Sequence, residues 1–170
     1  ESIHNDVPVR IRLLDQDASK LTGLKTKGRG ASLIEANQDV YKAQISAIIQ
    51  AARKAGRKNV QLLFPMVSSP EYAEIAKTIV MSGWLSSGVG NEVRLQVGGM
   101  IEEVDSISEP EKLQEIMDYL DFINIGTNDF GESIGQKRLN QSTLVPFNPL
   151  ELLMYKYIIS SALNKGKAPC

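Results

Sequence analysis

Cysteine is almost absent from this chain: Cys170 is the one thiol in 170 residues. A single thiol excludes an internal disulfide framework and permits a reducing compartment, so a cytoplasmic protein is expected. Histidine is equally scarce, and the one copy, His4, excludes a multi-histidine metal centre. It sits among polar N-terminal residues, where a surface position is expected. An excess of one charge is also missing: 19 basic and 20 acidic side chains leave a net charge of −1. That balance argues against a nucleic-acid surface or a polybasic membrane patch. No run approaches the roughly 20 apolar residues needed to cross a bilayer, and the N-terminus lacks a signal-peptide layout.

What is present suits a globular α/β domain. Hydrophobic residues make up 42% and charged residues 23%, enough for one sizeable core. Val7 to Leu14 reads as a strand by alternation and β-branching. Val60 to Phe64 reads as a second, stopped by Pro65, Val93 to Ile101 as a third, and Asp121 to Ile125 as a fourth. The last two are mostly apolar, as suits the buried middle of a parallel sheet better than a half-solvated antiparallel one. Gln38 to Ala55 carries Val40, Ile45, Ile48, Ile49 and Ala52 at helical spacing and stops at Gly56. Ser69-Pro70-Glu71 opens a helix expected to reach about Met81. Ser108-Glu109-Pro110 opens a shorter one, with Leu113, Ile116, Met117 and Leu120 on one face. Asn148-Pro149 opens the last, with Leu153, Met154, Tyr157 and Ile158 inward and Gly166 at its end.

Strict alternation of strand and helix implies parallel strands with right-handed crossovers. A dinucleotide-binding sheet is disfavoured, because no G-x-G-x-x-G follows the first strand. The polar residues fall at strand ends: Arg12 and Asp15 after the first, Glu102 after the third, Asn128 and Asp129 after the fourth. Barrels gather their catalytic groups at the C-terminal ends of several strands. A barrel closes with eight strands, so the expected fold is a partial (β/α)8 TIM-type barrel. Residues 1–170 are then part of a single barrel domain, truncated at both ends.

Several residues carry chemistry. Glu102 and Asp129, at the ends of adjacent strands, can share one divalent cation, and Mg²⁺ takes one or two carboxylates plus substrate oxygens and water. Strand-end acids that cap helices or pair with lysines are the plainer alternative. Glycines precede both, and small residues let a ligand approach the backbone. Arg12 lies between apolar Ile11 and Leu13 and needs an anion, for which Asp15 or Asp17 would also serve. Arg29, between Gly28 and Gly30, suits closure over an anion, although a solvated basic loop with Lys25 and Lys27 reads equally well. Asn128 and the peptide N–H groups of the turn suit a carboxylate or carbonyl oxygen, or a plain turn role. Cys170 stands where a fifth strand begins. It is either a small buried hydrophobe or a proton donor at the barrel mouth.

Taken as a set, these motifs resemble the phosphoenolpyruvate (PEP)-binding barrel of the PEP-utilizing enzymes: pyruvate phosphate dikinase, PEP synthase and enzyme I of the sugar phosphotransferase system. Val9 to Asp15 resembles the family's "RLLD" strand, and Gly28-Arg29-Gly30-Ala31-Ser32-Leu33 its "xRGxRL" loop. Gln44 to Ile48 resembles "QxRAI", and Phe64-Pro65-Met66-Val67 resembles "MFPMI". Gly99 to Glu102 resembles "GxMIE", and Ile125 to Asp129 resembles "IGTND". Order and spacing both hold along nearly the whole chain.

The resemblance implies roles at matching positions. Arg12 and Arg29 would grip the phosphoryl group, and Glu102 and Asp129 would hold Mg²⁺. Asn128, with backbone N–H groups near Gly126 and Thr127, would take the carboxylate end. Cys170 would protonate the methylene carbon of enolpyruvate. Loss of the phosphoryl group leaves an enolate that cation and arginines stabilise, and the family's phosphoryl acceptor is a histidine on a separate swivelling domain. PEP or pyruvate and that phosphohistidine domain are the implied partners; the exposed flanks of an open barrel would separately favour a homo-oligomer. Some positions depart from the pattern: Ser32 replaces a second loop arginine, Glu103-Val104-Asp105 replaces a proline and alanines, and Gly131-Glu132 replaces Thr-Gln. Leu139, with Arg138 beside it, stands where enzyme I carries an arginine. Two alternatives stay open: a divergent metabolite-binding relative with little or no turnover, and a Mg²⁺-dependent 2-oxo acid lyase or aldolase.

Overall fold

The computed structural model describes residues 7–15, 29–134 and 148–169. The expectations for His4, Asp17, Lys25, Lys27, Gly28, Arg138, Leu139 and Cys170 lie outside the described residues. Five strands, β1 (Val9–Arg12), β2 (Asn59–Phe64), β3 (Arg94–Ile101), β4 (Phe122–Ile125) and β5 (Ala168–Pro169), form one parallel sheet in the order β1-β2-β3-β4-β5. Each strand joins the edge left by the one before it. A doubly wound sheet reverses direction at a switch point, and this one does not. The architecture is α/β and consistent with part of a TIM-type barrel wall, not closed among the described residues.

Helices supply the crossovers that parallel pairing requires. They are α1 (Ala31–Ala36), α2 (Gln38–Lys54), α3 (Pro70–Ser87), α4 (Pro110–Tyr119), α5 (Thr127–Ser133) and α6 (Pro149–Asn164). α2 buries Tyr41, Ile45, Ile49 and Ala52, one stripe at helical spacing, whereas Val40 is 41% exposed. α3 begins as its sequence predicts, with the Ser69 hydroxyl accepting from the Tyr72 N–H and Pro70 in the first turn. It continues past Met81 to Ser87 and ends on left-handed Gly88 (φ 67°). Gly83 is the contact point between helices: a Cβ there would lie 2.8 Å from Ile45 Cγ2. α1 and α5 fold from stretches expected to be loops. α6 turns differently from expectation, burying Glu151, Tyr155, Ile158, Ser161 and Ala162 and leaving Leu153 64% exposed.

The two faces of the sheet differ in kind. Val60, Leu62, Phe64, Val97 and Ile101 point into the main core beneath the helices. Leu63, Met100 and Phe122 form a separate cluster on the other face. That second face also carries a polar ladder: Arg10 Nε donates to Gln61 Oε1 (2.9 Å), and Gln61 Nε2 donates to Gln96 Oε1 (3.0 Å). The Arg10 guanidinium lies 4.6 Å from the centre of the Phe122 ring.

Candidate active site

The end of β1 is fixed from two sides. The Leu13 N–H donates to the Leu63 carbonyl (2.9 Å), extending the pairing with β2. The Leu14 N–H donates to Gln44 Oε1 (3.3 Å), and the Leu14 carbonyl accepts from the Tyr41 hydroxyl (2.8 Å). Both helical partners come from α2, so the strand end is held by a rigid element. Burial, and then the nearby Asp15 charge, push the Tyr41 hydroxyl up to about 12, which keeps it a donor.

Asp15 follows directly, its side chain only 4% exposed. It accepts from Arg12 Nη2 and, in a fork, from Arg29 Nε (3.2 Å) and Nη2 (2.5 Å). Arg29 Nη2 also reaches Asp129 Oδ2 at 3.2 Å, and Arg12 Nη2 lies 3.9 Å from Glu102 Oε1. The loop before α1 and the ends of β1, β3 and β4 therefore meet at one place. Arg12, Arg29, Glu102 and Asp129 are brought together there.

Glu102 is the buried member, with a side chain 2% exposed. Its Oε1 accepts the Met66 N–H at 2.9 Å. Met66 has φ 51°, the one non-glycine residue with positive φ among the described residues. Such a conformation costs on the order of 1 kcal/mol and here aims an amide at the carboxylate. Across from it, a Cβ on Gly126 would lie 2.6 Å from Glu102 Oε2, so only glycine leaves room for the carboxylate.

Burial raises the Glu102 carboxyl to about 7. The Met66 amide and Arg12 oppose that rise, while hydrogen bonding and repulsion from Asp129 add to it. A hydrogen bond between the two carboxyl groups thus favours the protonated form of Glu102. A group at about 7 when folded and 4.5 otherwise binds more protons in the folded state between those values. Stability without divalent cations should therefore fall as pH rises from about 4.5 to about 7, then level off. Thermal unfolding in chelator at pH 5 and pH 8 checks this. An equal or higher midpoint at pH 8 would contradict the raised Glu102 carboxyl.

Two carboxyl groups this close also suit a divalent cation. No group of three or more His, Cys, Asp or Glu residues placed to hold a metal ion occurs among the described residues. The donor set is then two carboxylates, the number Mg²⁺ accepts when substrate and water complete its shell.

A family model described as the PEP-binding domain of PEP-utilising enzymes matches residues 2–168. The chain belongs to the PEP-utilising enzyme family. Among curated proteins it is similar to a "Phosphoenolpyruvate-dependent phosphotransferase system" protein of Salmonella typhimurium, 27% identical over 146 residues. That match covers 76% of this chain and 18% of the relative, so the chain spans less than a fifth of the relative's length. Among solved structures it is similar to RipC from Yersinia pestis, 19% identical with a TM-score of 0.48, over 95% of this chain and 55% of that one. No helix among the described residues is long and apolar enough to cross a membrane.

Within this PEP-binding domain the turn after β4 departs in detail from expectation. The Gly126 N–H is already engaged, donating to the Ile101 carbonyl at 3.1 Å. Thr127 and Asn128 are exposed on the first turn of α5. Asp105, one of the extra acids after Glu102, turns away to pair with Lys112 Nζ at 2.5 Å. Ser32, where the family carries a loop arginine, donates to the Arg29 carbonyl (3.2 Å) and steadies that loop. Sequence reasoning missed three supports: Met66 behind Glu102, and Tyr41 and Gln44 behind Leu14. A Pro-Met pair after a strand was a signal for the first, since strands rarely end on so tight a turn without reason. Tyr41 and Gln44 gave none beyond their helix.

Proposed function

We propose that this chain is the PEP/pyruvate-binding part of a cytoplasmic phosphotransferase. It would move a phosphoryl group between PEP and a phosphohistidine on another domain. The observation that carries this reading is the convergence of Arg12 and Arg29 on Glu102 and Asp129 at the C-terminal ends of parallel strands.

In this reading residues 1–170 are part of a single barrel domain. Arg12 and Arg29 bind the phosphoryl oxygens through N–H groups not taken by Asp15. Glu102 and Asp129 hold Mg²⁺, which when bound offsets the charge that develops on the enolate oxygen. Asn128, with the adjoining Gly126–Thr127 turn, orients the carboxylate of the substrate, and Asp129 lines the same pocket. Cys170 delivers the proton to the methylene carbon, giving pyruvate. Exposed Leu150, Leu152, Leu153 and Leu163 on α6 are apolar surface that self-association would cover, which favours a homo-oligomer.

Oxalate mimics planar enolpyruvate and chelates Mg²⁺. Calorimetric titration of oxalate into the protein should give binding with Mg²⁺ and none in chelator. Binding that ignores Mg²⁺, or no binding in either condition, would overturn the PEP reading.

A further inference from the structure

Three carboxylates face two guanidinium groups at this site, and one of them has no role in the reading above. Asp15 is 4% exposed, whereas the Arg12 and Arg29 side chains it binds are 44% and 36% exposed. The carboxylate thus lies beneath the arginines and leaves their outer edges to solvent. We infer that Asp15 is a positioning residue, which holds Arg12 and Arg29 converged so that one phosphorylated anion meets both.

Two guanidinium groups repel each other, and among the described residues Asp15 is the carboxylate hydrogen-bonded to both. Arg29 also reaches Asp129, and Arg12 approaches Glu102. Those carboxylates are the ones a divalent cation would claim. Asp15 accepts only from the arginines among the described residues, so its bonds persist when the others are withdrawn. Its own placement is rigid, because Leu14 beside it has both backbone polar groups bound by Gln44 and Tyr41 of α2. A side chain on a clamped strand end can orient two mobile ones. The fork to Arg29 uses Nε and Nη2, which fixes the plane of that guanidinium as well as its distance.

A plain counter-ion predicts the opposite sign. Removing a negative charge would then make the site more positive and tighten its hold on a phosphoanion. Positioning predicts a loss, and only for ligands that carry the phosphoryl group.

The inference rests on the PEP reading, so the test uses two ligands at saturating Mg²⁺: PEP, which needs the arginines, and oxalate, which needs only the cation. Asp15→Asn keeps the shape and removes the charge. It should weaken PEP about 10- to 100-fold and leave oxalate affinity essentially unchanged. Asp15→Glu, which keeps the charge but sets it one methylene further out, should show the same selective loss, and it serves if the Asn variant fails to fold. Tighter or unchanged PEP binding would overturn the inference, and so would equal loss of both ligands. A wild-type protein that binds oxalate with Mg²⁺ but not PEP would also overturn it while leaving the cation site standing. Failure of both ligands on the wild type would instead remove the PEP reading beneath it.

Discussion

Glu102→Gln should abolish Mg²⁺-dependent oxalate binding and, without Mg²⁺, raise stability above pH 7. Both effects follow from what surrounds the side chain. The Met66 N–H must keep an acceptor, so the glutamine oxygen stays at the 2.9 Å position that Glu102 Oε1 occupies. The glutamine NH₂ then faces Asp129 and donates to it. That arrangement removes one anionic ligand and engages the other, which leaves a cation almost nothing to bind. Changes to outer-shell partners of metal ligands cost roughly 10- to 100-fold in affinity, and loss of a ligand should exceed that. The stability gain has the same origin, because burial that raises the carboxyl to about 7 makes its ionised form unfavourable. Calorimetry and thermal unfolding measure the two effects on one sample. Retained Mg²⁺ dependence would take Glu102 out of the cation site.

Gly98→Ala should destabilise the fold by about 2–3 kcal/mol, the upper part of the range for overpacking. Gly98 pairs with Phe122 across β3 and β4, and the Phe122 ring lies over it. A Cβ at Gly98 would come within 2.3 Å of ring atoms Cε2 and Cζ. The ring cannot swing aside freely, because Leu63 and Met100 cluster with it and the Arg10 guanidinium stacks upon it. Displacement would disturb an apolar contact and a cation–π contact together. Urea unfolding should show a lower midpoint with an unchanged slope. Adding Phe122→Leu should recover part of the loss, since the two changes compete for one volume and are not additive. An unchanged midpoint would mean that the sheet's second face is loosely packed.

Local signals carried much of the fold. Ser69-Pro70 and Asn148-Pro149 cap their helices as written, since a side-chain acceptor and a first-turn proline act within a few residues. The first strand was legible by alternation and β-branching, and the next three as short, mostly apolar runs. Expectation failed where tertiary packing overrode the local pattern. The helix expected to end near Met81 runs on to Ser87 through Gly83, which lies where α3 meets Ile45 of α2. Leu153 reads as core, yet the inward face of α6 is set by Tyr155, which packs on Phe130 with ring centres 5.4 Å apart. The candidate site was legible as a set of residue types at strand ends. Its wiring was not, because Arg29 meets Asp129 across 100 positions and Glu102 meets Met66 across 36. Asp15 was foreseen as an anion for Arg12. Nothing local announced that it would bind Arg29 too.

The strand order has a consequence for how the chain acquires its shape. Each strand pairs with the one that precedes it in sequence, so no pairing waits for a distant partner. A chain emerging N-terminus first from the ribosome can lay each βα unit against the last, closing only the crossover between sequence-adjacent strands at each step. The candidate site residues sit at the seams between those units. Arg12, Glu102 and Asp129 come together only as successive units dock, so assembly of the wall and assembly of the pocket are one event.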